Sequence, residues 1–473
     1  MKLNKLSIEK GSSTVWDIVN GYPNLEDAQK RVVFEAGMRL RDEYRYDEAL
    51  KRFELLLHQE PNRHQEIALL SLIGNIHYLN GDYKKALFRN KEALEKVDKT
   101  GYMLEYYLIL NNIGVNLHDL GEIDKALSKL KETQKGMEEM RYQYGLGEVL
   151  GNIGRLYLYK SDYAKATEYF NKALNFHHSL GNLSGEASNL GNLGVLFEYQ
   201  GKLEEALKYH QKALLLNQKR NDKLQIGHDL ANIGVIYQLK GEMDESLTIF
   251  NESLQLFQEL KFKPGEALIL GHIGIILGNK QEYNKSIECH KKALEINQKI
   301  GNKLRIGLDY NNIGLIYYNK GDLKQAYDNS LKALDIFKKI SFRQGEGNVL
   351  RQIGMICLEK GDKESAIKFV DEAHKILHEI GYIRGEADCW ETLGNIYLKY
   401  GSLDDALICY KNSLRLDRKC GHECGIAIQL AHIGIIYKLK GNAEYIKYLE
   451  RALRLFRKLN DKDGIEWIES IKT

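Results

Sequence analysis

GNLGVLFEYQGKLEEAL, residues 191–207, is one copy of a phrase that the chain repeats. It reads NNIGVNLHDLGEIDKAL at 111–127, GNIGRLYLYKSDYAKAT at 151–167, ANIGVIYQLKGEMDESL at 231–247 and NNIGLIYYNKGDLKQAY at 311–327. Its glycine returns every forty residues, at Gly74, Gly114, Gly154, Gly194, Gly234, Gly274, Gly314, Gly354, Gly394 and Gly434, without a slip. An Ile or Leu precedes each one. Twelve residues after most of them comes a small residue, as at Ala86, Ala126, Ala166, Ala206, Ser246, Ser286, Ala326, Ala366 and Ala406. A fixed period of this length is the mark of stacked repeats, in which each unit buries its apolar face against its neighbours.

Each unit reads as two helices. Around Gly194, apolar residues at Leu193, Leu196 and Phe197, then Ala206, Leu207 and Leu214, keep the i, i+3, i+4, i+7 rhythm. This predicts a first helix over 185–200 and a second over 203–219. Gly201 falls where the first must stop, since a residue without a Cβ adopts the left-handed cap at no steric cost. Asp82, Asp162, Asp322 and Asp362 are the expected N-caps of second helices. Gly181, Gly301, Gly381 and Gly421 punctuate the link to the next unit.

Composition agrees with an all-α chain. The 473 residues include only 3 Pro, where average usage would give about 24. With 43% hydrophobic and 28% charged residues, the sequence is neither disordered nor membrane-like. A net charge of +3, from 68 basic and 65 acidic residues, gives no electrostatic footprint for nucleic acid. The N-terminus has no apolar h-region, and the most apolar stretch, 267–277, is too short to span a bilayer. A cytoplasmic protein without membrane insertion is the expectation. Six cysteines in so long a chain do not suggest a disulfide framework.

Gly194, Phe197, Ala206 and Ala213 carry a pattern of Gly, aromatic, Ala and Ala that resembles the tetratricopeptide repeat. The forty-residue form is similar to the repeats of the G-protein-signalling modulators that orient spindles. The Asn-Ile-Gly signature resembles kinesin light chains and bacterial peptide sensors. The resemblance implies a right-handed superhelical solenoid of about eleven helix-turn-helix units. They are expected as an N-terminal extension at 1–29, a degenerate first repeat at 30–66, repeats two to ten at 67–426, and a divergent eleventh with a capping helix at 427–473. The modulators' acidic tail motifs and the light chains' heptads are absent, so neither function is carried over.

No catalytic constellation emerges. P-loop, His-Glu-x-x-His and nucleophile-elbow patterns are missing, so the chain is expected not to be an enzyme and to need no cofactor. Gly145, Gly147 and Gly151 mimic a dinucleotide loop but lie in a helical repeat with no strand before them. Cys420, His422 and Cys424 offer metal ligands within one turn, yet no second pair completes a zinc set; no metal is expected. His374 and His378 share a helix face.

The informative constellation lies on the first helices. With the recurring glycine as position 8, core residues occupy positions 3, 7, 10 and 11, and positions 2, 6, 9 and 13 form a separate stripe. In tetratricopeptide superhelices that stripe lines the concave groove. Position 6 reads Asn112, Asn152, Asn192, Asn232, His272, Asn312 and Gln352; position 9 includes Arg155, Val195 and Val235. An amide both donates and accepts, so a row of them beside aliphatic seats suits an extended peptide. Asn is a poor helix former, and its recurrence mid-helix asks for a compensating role. The competing reading is that these Asn side chains bond neighbouring helices. Position 2 lacks the Lys and Arg of a carboxylate clamp, which argues against chaperone tails. The favoured function is an interaction scaffold holding an extended segment of a partner protein. The alternatives are a sensor of a short free peptide or small ligand and, less favoured, a nucleic-acid-binding helical repeat.

Overall fold

The computed structural model describes residues 28–97, 103–459 and 461–472. The N-terminal extension expected at 1–29 lies almost wholly outside the described residues. Among those described, every regular element is a helix. They run in antiparallel pairs: α1 (Ala28–Asp42) with α2 (Tyr46–Leu57), α3 (Arg63–Leu79) with α4 (Tyr83–Lys96), α5 (Met103–Asp119) with α6 (Ile123–Glu139), and α7 (Gln143–Tyr159) with α8 (Tyr163–Ser179). The series continues with α9 (Leu183–Tyr199) and α10 (Leu203–Lys219), α11 (Lys223–Leu239) and α12 (Met243–Glu259), and α13 (Lys263–Asn279) and α14 (Tyr283–Ile300). It ends with α15 (Lys303–Lys320) and α16 (Leu323–Ile340), α17 (Arg343–Glu359) and α18 (Lys363–Glu379), α19 (Ile383–Lys399) and α20 (Leu403–Cys420), and α21 (Glu423–Leu439) and α22 (Tyr445–Lys458). A short α23 (Lys462–Lys472) follows. The described residues thus form an all-α solenoid of eleven helix pairs.

Local chemistry sets the ends of these helices. Gly201 leaves α9 with φ +72°, and Ser161 takes the same left-handed conformation at φ 57° where the glycine is missing. Gly181, Gly301, Gly381 and Gly421 all have positive φ at the links between units. The carboxylates of Asp82, Asp162, Asp322 and Asp362 accept from the backbone N–H three residues on. Each satisfies a helix donor that would otherwise be orphaned.

In five of its ten copies the recurring glycine makes room for a ring. A Cβ on Gly194 would meet the His210 imidazole at 2.6 Å, and one on Gly154 would meet the Phe170 ring at 2.6 Å. Large side chains of second helices thereby reach the backbone of their first helix, and Phe170, His210, Phe250, His290 and Tyr410 are all fully buried. At the small position, Ala206 is fully buried, and Ser246 and Ser286 donate to the carbonyls of Gly234 and Gly274 at 2.7 and 2.6 Å. At the C-terminal end, Ile468 of α23 is fully buried, and Trp467 packs on Phe456 and His432. The last pair is covered as a solenoid end requires.

Contacts also run between units far apart in sequence. Tyr44, between α1 and α2, meets Phe262 before α13 edge to face at 5.4 Å. Asp82 lies 3.9 Å from Lys303, and Tyr159 stacks on Tyr382 at 5.4 Å. Each link joins the turn inside one repeat to the turn between two repeats, five to six units further along. The superhelix therefore coils tightly enough for its second turn to rest on its first.

Candidate functional site

The stripe at positions 2, 6, 9 and 13 lies on the first helix of each pair, flanked by the core residues at positions 3, 7 and 10. Leu193 and Leu196 are buried, for instance, while Asn192 and Val195 are half-buried. Asn112, Asn152, Asn192, Asn232, His272 and Asn312 are all half-buried, as are Val195 and Val235, and Arg155 is exposed. Each of these six side chains therefore keeps part of its surface open to water.

The side chains in that row differ in what they already hold. Asn152 donates to Asn111 Oδ1 at 2.9 Å and accepts from Arg155 at 2.6 Å. Gln352 is buried and donates to Ser330 Oγ at 3.2 Å and to the Asn311 carbonyl at 3.4 Å. His272 lies flat on Phe250, with ring centroids 5.0 Å apart, and burial pushes its imidazole down to about 4. It is neutral at physiological pH. Asn192, Asn232 and Asn312, in contrast, make no side-chain hydrogen bond to any described residue. Three amides with free donors and acceptors thus lie beside Val195, Val235 and Leu315.

Four guanidiniums on first helices were not anticipated as a set. Arg155, Arg305, Arg351 and Arg384 form no ion pair with a described residue, although Arg351 donates to Thr392 and Met355. Near Arg384, burial pushes the Glu198 carboxyl up to about 7, with the guanidinium pulling it the other way. Only Arg155 sits at a stripe position. The others occupy slots where most repeats carry a different residue, so periodicity gave no signal for them.

The remaining sequence candidates find partners of their own. Cys420 Sγ donates to the Asp417 carbonyl, and His422 faces the Asp417 carboxylate at 3.3 Å. His374 and His378 stack with centroids 6.0 Å apart and share Glu386, at 3.7 and 3.1 Å. That pair, together with Glu186–His178, Glu266–Lys263 and Glu346–Arg343, belongs to a recurring ion pair near the links between units. No described helix is long and apolar enough to cross a membrane.

A tetratricopeptide repeat family model matches residues 105–177, 146–219, 185–259, 227–299 and 308–379, and a second tetratricopeptide repeat model matches 387–420. No curated protein matches the sequence. Among solved structures, a Rap protein complexed with Competence and Sporulation Factor is similar at 15% identity and TM-score 0.49, over 74% of this chain and 98% of that one. The apo form of RapI is similar at 16% identity and TM-score 0.45, over 57% of this chain and 98% of that one. BtubC (BKLC) from P. vanneervenii is similar at 19% identity and TM-score 0.37, over 46% of this chain and 90% of that one.

Proposed function

The chain belongs to the tetratricopeptide repeat family, whose repeats support a protein-interaction role, and on that premise we propose that its concave face holds an extended segment of a partner protein. The observation that carries this reading is the trio Asn192, Asn232 and Asn312, half-buried on the first helices of three units with their amides unspent. An extended backbone presents N–H and C=O groups alternately, and a primary amide meets either. Val195, Val235 and Leu315 offer apolar contact beside them. Arg155, Asn112 and Asn152 extend the groove toward the N-terminal units, while His272 contributes a neutral ring. Gln352 is assigned to the scaffold, since its amide is used within the chain. The activity is binding, without catalysis.

The test uses a peptide selected from a random display library against the full chain. Asn192→Ala, Asn232→Ala and Asn312→Ala together remove about 3 kcal/mol of net hydrogen bonding at roughly 1 kcal/mol each. Titration of the selected peptide should show affinity lower by on the order of a hundredfold. Thermal melting should stay unchanged or rise slightly, because Ala is the better helix former. A triple variant that melts early yet binds the peptide as the parent does would make the Asn row scaffolding and remove the proposal.

A further inference from the structure

One position of the repeat records where the two superhelical turns touch. The residue that closes the turn inside each repeat is buried at Gly81 and half-buried at Gly121 and Ser161, but exposed at Gly201, Gly241, Gln281, Gly321, Gly361, Gly401 and Gly441. The opposite edge shows the reverse order. The residue before the link between repeats is half-buried at Met140 and Leu180, yet Ile340, Ile380 and Cys420 are 2%, 6% and 1% exposed. Chemically equivalent slots differ in burial only because something lies over one group of them.

What lies over them is the other turn of the coil. A Cβ on Gly81 would come within 3.2 Å of Leu304 Cβ, and one on Gly121 within 2.8 Å of Ile380 Cγ2. Leu304, Phe342 and Tyr159 each pack against both the apolar core of the early repeats and that of the late ones. The sequence has adapted to this. The slot just past the first helix is Asn80, Leu120 and Lys160 under the seam, and mostly Lys where the edge is free, as at Lys240, Lys280, Lys320, Lys360 and Lys440. At that edge Lys240, Lys280 and Lys440 pair with Glu204, Asp244 and Asp404 of the preceding unit. On the opposite edge, the first-helix caps Asn182 and Asp222 give way to Phe262, Phe342 and Tyr382. Each of those three lacks the side-chain cap bond and packs on the glycine three residues on, at Gly265, Gly345 and Gly385, while Asn302, beside the seam, keeps its cap.

We propose that this seam is a latch: the two turns part along it as rigid bodies, without unfolding any repeat, to admit an extended chain to the concave face. The physical ground is a mismatch of strengths. Each repeat packs on its neighbours along whole helices, whereas the seam is a line of separate ring and methyl contacts with one ion pair. Its weakest polar link, Lys303 to Asp82, is partly exposed and 3.9 Å long, so screening by salt leaves it little strength. The seam is therefore the element of lowest opening free energy, and opening bares the inner faces of early and late repeats together. This inference rests on the groove reading above but is tested without a ligand.

The test is made on the full chain with the partly exposed Cys289 and Cys424 replaced by Ser and Asn232→Cys as an inner-face probe, labelled with a maleimide that bears a bulky polyethylene glycol. Adding Gly81→Cys and Leu304→Cys places two thiols near the Cβ separation of a disulfide, about 3.5–4.5 Å, and Ser161 shows that the turn tolerates a side chain. Oxidation should slow labelling of the probe about tenfold by removing the open state. Ile380→Asp, which puts a carboxylate against Gly121, should speed it by a similar factor with helicity by circular dichroism unchanged. That second variant decides the matter if the disulfide does not form. Equal labelling rates in probe, locked and loosened proteins would overturn the latch and leave the groove reading intact. A failure of the Asn variants to weaken peptide binding would leave the latch result in place.

Discussion

His210 and His290 fill the spaces opened by Gly194 and Gly274, and neither ring nitrogen of either has a hydrogen-bond partner. Both side chains are fully buried, and burial pushes both imidazoles down to about 4. Above pH 6.5 they are neutral folded or unfolded and contribute no pH dependence. As pH falls from 6.5 toward 4, the unfolded chain takes up protons that the folded chain refuses, so stability drops. By pH 5 the loss is about 2 kcal/mol for each histidine. Phe occupies the equivalent place at Phe170 and Phe250. His210→Phe with His290→Phe should therefore leave the melting temperature at pH 7.5 unchanged or higher, and spare the protein much of its acid-induced loss at pH 5. Parallel melts that fall equally in parent and variant would show that the two rings titrate freely. The glycine period was plain in the sequence, but the residue sixteen on that fills the space varies from Ser330 to Tyr410 and carries no pattern. That two of those rings are unsatisfied imidazoles depends on three-dimensional surroundings no pattern reports.

Between helices of successive repeats, buried residues are matched in kind. Asn217 on α10 donates to Asp229 on α11 at 2.7 Å, and Asn297 on α14 donates to Asp309 on α15 at 2.7 Å. The corresponding slots in the intervening unit hold Phe257 and Ile269, both fully buried. Burial pushes Asp229 up to about 6 and Asp309 up to about 7, with the Asn donor pulling each back. A helix presenting Asn217 is satisfied by Asp229 and not by an Ile, so the alternation fixes which helix follows which. Asn217→Phe alone should cost about 2–3 kcal/mol, because Asp229 is left buried without its donor. Adding Asp229→Ile, which copies the Phe257–Ile269 pair, should restore most of the loss. A double variant as unstable as the single one would show that packing, and not the missing hydrogen bond, sets the cost. The helices themselves were largely legible: α10 spans the predicted 203–219, and α9 begins two residues before the predicted 185 and ends one before 200. The Asn–Asp pairs were not, since mid-helix polar residues on a core face break the apolar rhythm from which the helices are read.

At the scale of the molecule, a forty-residue period predicts neighbours and says nothing of units five or six repeats apart. The seam leaves only a partial mark in the sequence: Asn80 and Leu120 break a row of lysines and Phe262, Phe342 and Tyr382 a row of polar caps, while Lys160 and Asn302 keep to type. Tyr142 occupies that same cap slot and packs inward over Gly145, so a break by itself does not identify a contact. The groove was partly legible: the Asn row was visible as a stripe, but which amides are free and which are spent required the coordinates. Asn152 and Gln352 bond within the chain, while Asn192, Asn232 and Asn312 do not. That these three hold the backbone of a bound segment is tested most directly by titrating the selected peptide against versions in which single amide bonds are replaced by esters. An ester keeps the side chains and removes one backbone N–H. Where an Asn accepts that N–H, the ester should weaken binding to the parent by about 1 kcal/mol, or roughly fivefold, and weaken binding to the Asn192→Ala, Asn232→Ala, Asn312→Ala protein no further. Ester substitutions that cost the same in both proteins, or nothing in the parent, would contradict backbone recognition by the Asn row.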